Sequence, residues 1–580
     1  YSYGYHGPGV CGSLVINPKT MAIMGFHVAG SGVGSMALGY GTMLYKELFD
    51  FPFDMNNIIE SEQYYDPEGF PVMKLDGNFN PMGVVRKQYQ TQISTKSEIG
   101  PTMAVGLLTK PMRVPAILQH PEDERPGYTA LRDGFGKQLT DCGKPFNHYD
   151  LQACIASMSR RINTIAVPLK KIEVLRTIDV GIFGDKDLFL KPLNTHTSAG
   201  FPLAAMSTGG KMAFLEQDEG GFIKVNNQLL EPLKTMAHEN MAKREMGCVP
   251  ETIFQTFLKD ERLTTQKVKK VGGTRIINGS PVELAIAMRR CLSDFHGALT
   301  GARAKLPFQI GCNPYNKEGD SWARRLLAKS DVMEDGDFSG FGPTMAPDVA
   351  AAWYEVILRW YEYWCKQQRV PFTDKDRKRL LTLVNENLSR KEVVGDLVIG
   401  LTKGIASGSA DTVQRNSGVH VLYFMLYWCK VFGRGDIDKF WDAVEILVLG
   451  DDGVYAVDPR YAGKFTASGF ADFMTEHSIK FTPAAKTGWF GAKRGILDVQ
   501  FLKNHWKKDD ARNCYVMALE KEVLEDIVNW TRGDPESKDD LAALFEQTLK
   551  YAAGHGEKYY KEIQGKIDQY AIANGIWYRR

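Results

Sequence analysis

The chain has 580 residues, 44% of them hydrophobic and 24% charged, with a formal net charge of +2. That balance suits a folded protein of several lobes and excludes both a disordered chain and a uniformly basic nucleic-acid binder, so any basic surface must be local. Nine cysteines with no CxxC pair argue against a disulfide framework or a structural zinc site and suit a reducing cytosol.

Residues 1–50 are glycine-rich, with short β-prone runs in "SLVI" and "MGFHVAG". The opening "YSYGYHGPGV" lacks the basic and apolar regions of a signal peptide and reads as the middle of something longer, a fragment or a polyprotein product. No run of about 18 apolar residues occurs, so no transmembrane helix is expected. Residues 50–130 read as a linker with irregular, extended structure, and helical and looped pieces alternate from 150 to about 300. "PDVAAAWYEVILRWYEYWCKQQR", 347–369, predicts a helix with Pro347 in its first turn. A second, mostly buried helix is predicted over 410–432. Beyond 515, from "ALEKEVLEDIVNW" to "EKYYKEIQGKIDQYAIANG", helices with polar faces are predicted.

Four stretches carry candidate chemistry. "ILVLGDDGVYAVD", 446–458, places Asp451 and Asp452 between two β-prone runs, after Gly450. A hairpin with both carboxylates at its tip follows from that pattern, and a divalent metal would keep them ionised. "DVMEDGDFSGFGPTMAP", 331–347, offers Asp337 at the end of a short run. Beside Asp451 it would complete the carboxylate pair that two-metal phosphoryl transfer requires. "GIASGSADTVQRN", 404–416, is a small-residue loop opening a helix, with Ser407, Thr412 and Asn416 as hydrogen-bonding groups near phosphate or sugar. "FLKDERLTTQKVKKVGGTRIING", 257–279, gathers Lys259, Arg262, Lys267, Lys269, Lys270 and Arg275. Its alternation predicts strands projecting cations from one face, braced by Asp260 and Glu261, toward a nucleoside triphosphate. Taken singly, each stretch has an ordinary reading: a solvated turn, a turn cap, a helix N-terminus, a solvated charge run.

The order of the motifs decides between these readings. The chain resembles the RNA-dependent RNA polymerases of picornavirus-like positive-strand viruses, most nearly the iflavirus and dicistrovirus type. "THTSAGFP", 195–202, resembles the template-entry loop, and "KDERL" through "GGTRIING" the basic fingers motif. "DGDFSGFGP", "ASGSADTVQRN" and "LGDDGVYAV" resemble the three palm motifs in order. "KFTPAAKTG", 480–488, resembles the motif that carries a general-acid lysine, and "FLKNHW", 501–506, the primer-grip hairpin. The resemblance covers roughly residues 100–580. It implies an α/β right-hand polymerase with fingers at 61–291 and 384–404, palm at 292–383 and 405–508, and thumb at 509–580.

It further implies the following roles. Asp337, Asp451 and Asp452 are catalytic and hold Mg²⁺, with Mn²⁺ as a substitute, and Lys486 is the general acid. Lys259, Arg275, Ser407, Thr412 and Asn416 meet the incoming nucleotide. Thr197, Ser198, Gly200, Phe501, Leu502 and Lys503 meet template or primer. RNA and nucleoside triphosphates are the expected partners, with a protein primer (VPg) and replication complexes on host cytoplasmic membranes. One departure stands out: Gly342 occupies the position where the family usually has the aspartate that helps read the ribose, leaving Asn416 and Ser407 to select the sugar. A second is Gly273, where a basic residue often stands, which makes Arg275 the firmer triphosphate contact.

The front of the chain resembles the C-terminal end of a viral chymotrypsin-like cysteine protease, and a β-rich remnant of it is expected over residues 1–60. In "GPGVCGSLVI" Cys11 matches the nucleophile, and in "GFHVAGSG" His27 matches the residue that reads the substrate side chain. The general base and its acidic partner lie upstream in that family, so the remnant is expected to be inactive. The "TSAGFP" loop argues against a reverse transcriptase, and the intact carboxylates argue against a binding protein with a dead site.

Overall fold

The computed structural model describes residues 94–119, 128–139, 143–205, 210–213, 215–217, 223–225, 227–484, 490 and 494–579. It also gives short strands at 2–3, 14–16, 23–31, 38–43, 58–59 and 80–85. Four of these pair antiparallel in the order Ser2–Tyr3, Leu38–Met43, Ile23–Ser31, Leu14–Ile16. His27 falls on the Ile23–Ser31 strand, whereas Cys11 lies outside the described residues.

A four-stranded antiparallel sheet forms the centre, in the order Val444–Leu449, Asp452–Val457, Met333–Ser339, Lys480–Pro483. Side chains alternate across a strand, and both faces of this sheet are buried. Ile446, Val448, Tyr455 and Val457 join the core of the helices Pro347–Gln368 and Thr412–Phe432. Leu447, Val454 and Ala456 join the opposite core, against Trp322 of the helix Lys317–Lys329 and Trp506. Both predicted helices form almost as read. Pro347 begins the first, and the second starts at Thr412.

A six-stranded sheet runs Ile276–Gly279, Ile253–Leu258, Arg390–Val394, Leu397–Leu401, Asn80–Val85, Ile58–Ile59. The basic stretch forms its predicted strand at "TRIIN", as Ile276–Gly279, but not at "KVKK". Phe257–Leu258 end the strand Ile253–Leu258 and Arg262–Thr264 is extended, while Thr265–Val268 turns into a short helix. Alternating charges alone do not make a strand; a pairing edge does, and Arg262–Thr264 finds one in Arg113–Pro115.

The C-terminal region is also less helical at its start than predicted. Cys514–Leu519 is a strand paired with Asn504–Asp509, and only Lys521–Glu525 of the next stretch is α-helical. Helices Lys538–Ala552 and Glu557–Asn574 then build a separate core that includes Leu519 and, from the other end of the chain, Ala104. Segment 97–112 closes onto this region. Thr102 Oγ1 donates to Val528 O at 2.5 Å, Gly106 N–H to Asn529 Oδ1 at 2.8 Å, and Gly100–Pro101 pairs with Trp530–Thr531. Among the described residues, no helix is long and apolar enough to cross a membrane.

Candidate active site

Asp451 sits in a two-residue turn, because Leu449 pairs with Asp452. Gly450 takes φ +69°, which glycine adopts without strain. The turn is held from below by the helix Thr412–Phe432: Gly450 N–H donates to Ser417 Oγ at 2.9 Å, and His420 Nδ1 lies 3.2 Å from Gly450 O. Burial pushes the His420 imidazole down to about 4, so it is neutral and donates to that carbonyl. Asp337 enters from the neighbouring strand, one residue beyond the Gly336–Gly453 pair.

Three carboxylates therefore crowd one end of the sheet. Asp451 stays open to solvent, but the surrounding walls thin its water and raise its pKa, with the Asp337 charge adding to the shift. Burial pushes Asp452 up to about 7 despite its hydrogen bond from Leu502 N–H at 2.9 Å. These are hard oxygen donors with surplus negative charge. Among the described residues they do not form a ready-made three-ligand cage. That pattern fits magnesium, which takes one or two carboxylates and completes its shell with substrate phosphates and water.

The same cavity, about 740 Å³, is lined on its basic side by Arg113, Arg262, Lys267, Lys270 and Arg275. Arg275 Nε donates to Glu261 Oε1 at 2.5 Å, its Nη2 donates to Oε2, and Lys259 Nζ lies 3.5 Å from the same carboxylate. Burial works against the charged form of Glu261, but the Arg275 hydrogen bonds and charge outweigh it and hold its pKa low. Asp260 takes a different part from the one expected of it: it accepts from Ser97 Oγ at 2.7 Å and pairs with Arg532. Arg262 reaches across to Asp526 Oδ2 at 3.2 Å.

The small-residue loop is stitched to the end of the six-stranded sheet. Gly408 N–H donates to Asn278 O at 3.0 Å, and Asn278 N–H donates to Ser407 Oγ at 3.1 Å. Thr412 Oγ1 turns back to Ser409 O at 2.7 Å, so it shapes the loop. Asn416 presents a buried Oδ1 with no hydrogen-bond partner among the described residues. Beneath the loop lies a network that the sequence reading missed. Tyr354 O–H donates to Asp411 Oδ2 at 2.6 Å and accepts from Arg415 Nη1 at 2.9 Å, with Ser409 Oγ 2.7 Å from Asp411 Oδ1. The only trace in the sequence is the Asp411–Arg415 spacing of one helical turn.

Near the template-entry motif, Thr197 Oγ1 donates to Asn194 O at 3.0 Å and accepts from Lys211 Nζ, while Gly200 N–H donates to Ser198 Oγ at 3.1 Å. Gly200 takes φ +73° and packs so closely that a Cβ would lie 2.6 Å from Ser280 O. Phe501 is fully buried, edge-on to Trp322 at 5.3 Å, and so anchors its hairpin in the core. Leu502 and Lys503 form the turn, and Lys503 lines the cavity. Lys486 lies outside the described residues.

An acidic hairpin at the end of an antiparallel sheet, with a basic arm over it and a closing C-terminal lobe, is the fold of a right-hand polymerase. A solved structure of the Sicinivirus 3Dpol RNA-dependent RNA polymerase superposes with a TM-score of 0.65 over 84% of this chain and 94% of that one, at 19% identity. The model of the viral RNA-dependent RNA polymerase family matches residues 189–572, and the chain belongs to that family. It is 27% identical over its whole length to part of the genome polyprotein of deformed wing virus. It is 25% identical over 97% of its length to part of the replicase polyprotein of Drosophila C virus. The chain spans 20% and 33% of those polyproteins, respectively. Its relatives are thus of the iflavirus and dicistrovirus type.

Proposed function

We propose that the chain extends an RNA 3′ end by two-metal nucleotidyl transfer in the 740 Å³ cavity. The observation that carries this reading is the meeting of surplus carboxylates and braced cations in one cavity. Asp337 and Asp451 would hold Mg²⁺, with Mn²⁺ as a substitute, and Asp452 would support them. When bound, the metal supplies Lewis-acid activation of the primer hydroxyl and neutralises the triphosphate.

The remaining work falls to the chain's own residues. Arg275 and Lys259 grip the triphosphate, with Glu261 setting the orientation of the guanidinium fork. The unpartnered Asn416 Oδ1 accepts from the ribose hydroxyl, with Ser407 beside it. Thr412 keeps that loop in shape. The primer 3′-hydroxyl loses its proton to solvent water as its oxygen bonds to the α-phosphorus, while the bond from that phosphorus to the bridging oxygen breaks. Pyrophosphate leaves and takes its proton from Lys486. Thr197, Ser198 and Gly200 guide the template, and Leu502 and Lys503 meet the primer strand on the base that Phe501 anchors.

We divide the chain into fingers (61–291, 384–404), palm (292–383, 405–508) and thumb (509–580); separate cores around Leu131 and Phe545 support the first and last, while the core around Trp353 takes in fingers residues such as Ile155, Phe254 and Met288. A protein primer, a membrane-bound replication complex in the host cytoplasm, and an inactive protease remnant bearing Cys11 and His27 complete the proposal on family resemblance. The test is primer extension on poly(A) with UTP and Mg²⁺. Template-dependent extension is expected, and its absence from a folded preparation would overturn the reading.

A further inference from the structure

The hairpin between Phe501 and Asn504 is closed by Leu502 and Lys503 alone. Both residues lie in the left-handed region, at φ +56° and +62°. Such a turn twists in the sense that suits a hairpin, and Asn-Gly is its preferred sequence. A leucine or lysine there is crowded by its own Cβ. Strain of this kind persists only where the surroundings over-determine it, and it gathers at functional sites.

Three contacts do the over-determining. Asp452 Oδ2 accepts from Leu502 N–H at 2.9 Å. Asn504 Nδ2 donates to Leu502 O at 2.7 Å, and Glu520 N–H donates to Lys503 O at 3.0 Å. One step earlier, Gln500 N–H donates to Asp335 Oδ2 at 2.8 Å, and Arg494 clamps that same carboxylate. Asp335 and Asp452 stand on adjacent strands of the central sheet. Two palm carboxylates thus hold the incoming strand of the hairpin, and one of them, Asp452, directly follows Asp451.

We propose that Asp452 is a positioning residue that acts through the Leu502–Lys503 turn. Its carboxylate oxygen keeps the turn left-handed, which holds Lys503 in the cavity beside Asp451 and sets the surface against which the RNA 3′ end rests. Adjacent aspartates then divide the work. Asp451 faces the chemistry, while Asp452 ties the chemistry to the primer surface. The inference rests on the polymerase reading, in which this turn meets the primer.

The test measures RNA retention with no metal present, so that any part Asp452 takes in metal binding is silent. Release of a fluorescent template–primer duplex from the full chain is followed in EDTA for Asp452→Ala and Asp452→Asn. Both variants lose the charge, but the amide keeps an oxygen that can accept from Leu502 N–H. Asp452→Ala is expected to release RNA about tenfold faster than Asp452→Asn, the order of effect of one lost hydrogen bond to an otherwise unpaired donor. Leu502→Gly relieves the crowding, so in that background the difference should shrink below about threefold. Equal rates for the two variants, or a full tenfold gap persisting with Leu502→Gly, would overturn the inference. Melting temperatures establish that each variant is folded. Wild-type primer extension tests the parent reading separately: extension with equal release rates sinks only the role given to Asp452.

Discussion

Asp337 and Asp452 stand on a sheet buried on both faces, with Asp451 in its hairpin turn, whereas Arg262 stands on a three-residue strand and Arg275 just before another, with a short helix between them. The two groups line one cavity but differ in compensation. Each arginine already has a carboxylate of its own, Asp526 or Glu261. The palm carboxylates repel one another, and burial pushes Asp452 up to about 7. On the proposed reading, the rigid acidic side takes up cations that arrive with the substrate. The braced side can exchange a protein carboxylate for a phosphate with little change in its own charge balance. The acidic side should therefore govern turnover, and the basic side nucleotide affinity.

Breaking the acidic side should have the largest effect. On the proposed two-metal reading, Asp337→Ala or Asp451→Ala removes a ligand of the cation that neutralises charge at the reacting phosphoryl group. Loss of a comparable electrostatic group lowers kcat by about 10²–10³-fold or more. Single-nucleotide incorporation should fall at least that far, with the melting temperature nearly unchanged because neither side chain supports the core. Near-normal incorporation by either variant would break the comparison at its first term.

On the basic side the expected change is in KM. Arg275→Ala loses charge-assisted hydrogen bonds worth about 1.5–3 kcal/mol each, so KM for UTP should rise roughly 10–100-fold while kcat changes less. Glu261→Gln, which keeps the shape but weakens the brace, should sit between this variant and wild type. An equal drop in kcat and kcat/KM for Arg275→Ala would move that residue to the acidic side's role.

The loop between the two groups should show a smaller effect, about tenfold, and on selectivity alone. Asn416→Ala removes the buried acceptor that waits unpaired, so the UTP-to-dTTP ratio of kcat/KM should fall. Gly342→Asp should still synthesise RNA. A Cβ at Gly342 meets nothing closer than Ile405 Cγ1 at 3.6 Å, so the carboxylate finds room. An unchanged ratio in Asn416→Ala would mean that another residue reads the sugar.

How much of this was legible in the sequence follows the same division. The acidic side was legible because its signal is local: Asp451 and Asp452 interrupt two apolar runs, and Gly450 marks the turn. The helix from Pro347 was legible for a similar reason, its apolar period being continuous. The basic arm was legible in charge but not in shape. "KVKK" alternates like a strand, yet it is Arg262–Thr264 and Ile276–Gly279 that find partner strands. The buried Asp411–Arg415–Tyr354 network left almost no trace, because Tyr354 lies on a different helix. Aspartate and arginine are normally read as exposed, and only tertiary packing turns this pair into a support for the loop. The strain at Leu502–Lys503 was equally hidden, since nothing in that dipeptide announces a left-handed turn.

The smallest expected effect sharpens the comparison by adding a cation of a third kind, neither braced by a carboxylate hydrogen bond nor part of the basic arm. Lys211 Nζ donates to Thr197 Oγ1 in the template-entry loop. Burial, with help from the Arg289 charge, pushes its pKa from 10.5 down to about 8. A depressed lysine favours its neutral form in the folded state. Its charged form is therefore a burden on stability below about pH 8, and that burden lifts as pH rises toward the unfolded value. Template binding should run the opposite way, because the charge that attracts a phosphate is lost over the same range. RNA affinity at constant salt should fall roughly two- to fivefold from pH 7 to pH 9, the order of a single partly exposed charge contact. Lys211→Arg, which stays charged throughout, should flatten that profile. Lys211→Met should weaken RNA binding at pH 7 while raising the melting temperature there. A wild-type profile that is already flat would assign Lys211 to the support of Thr197 alone and leave the template path to other groups.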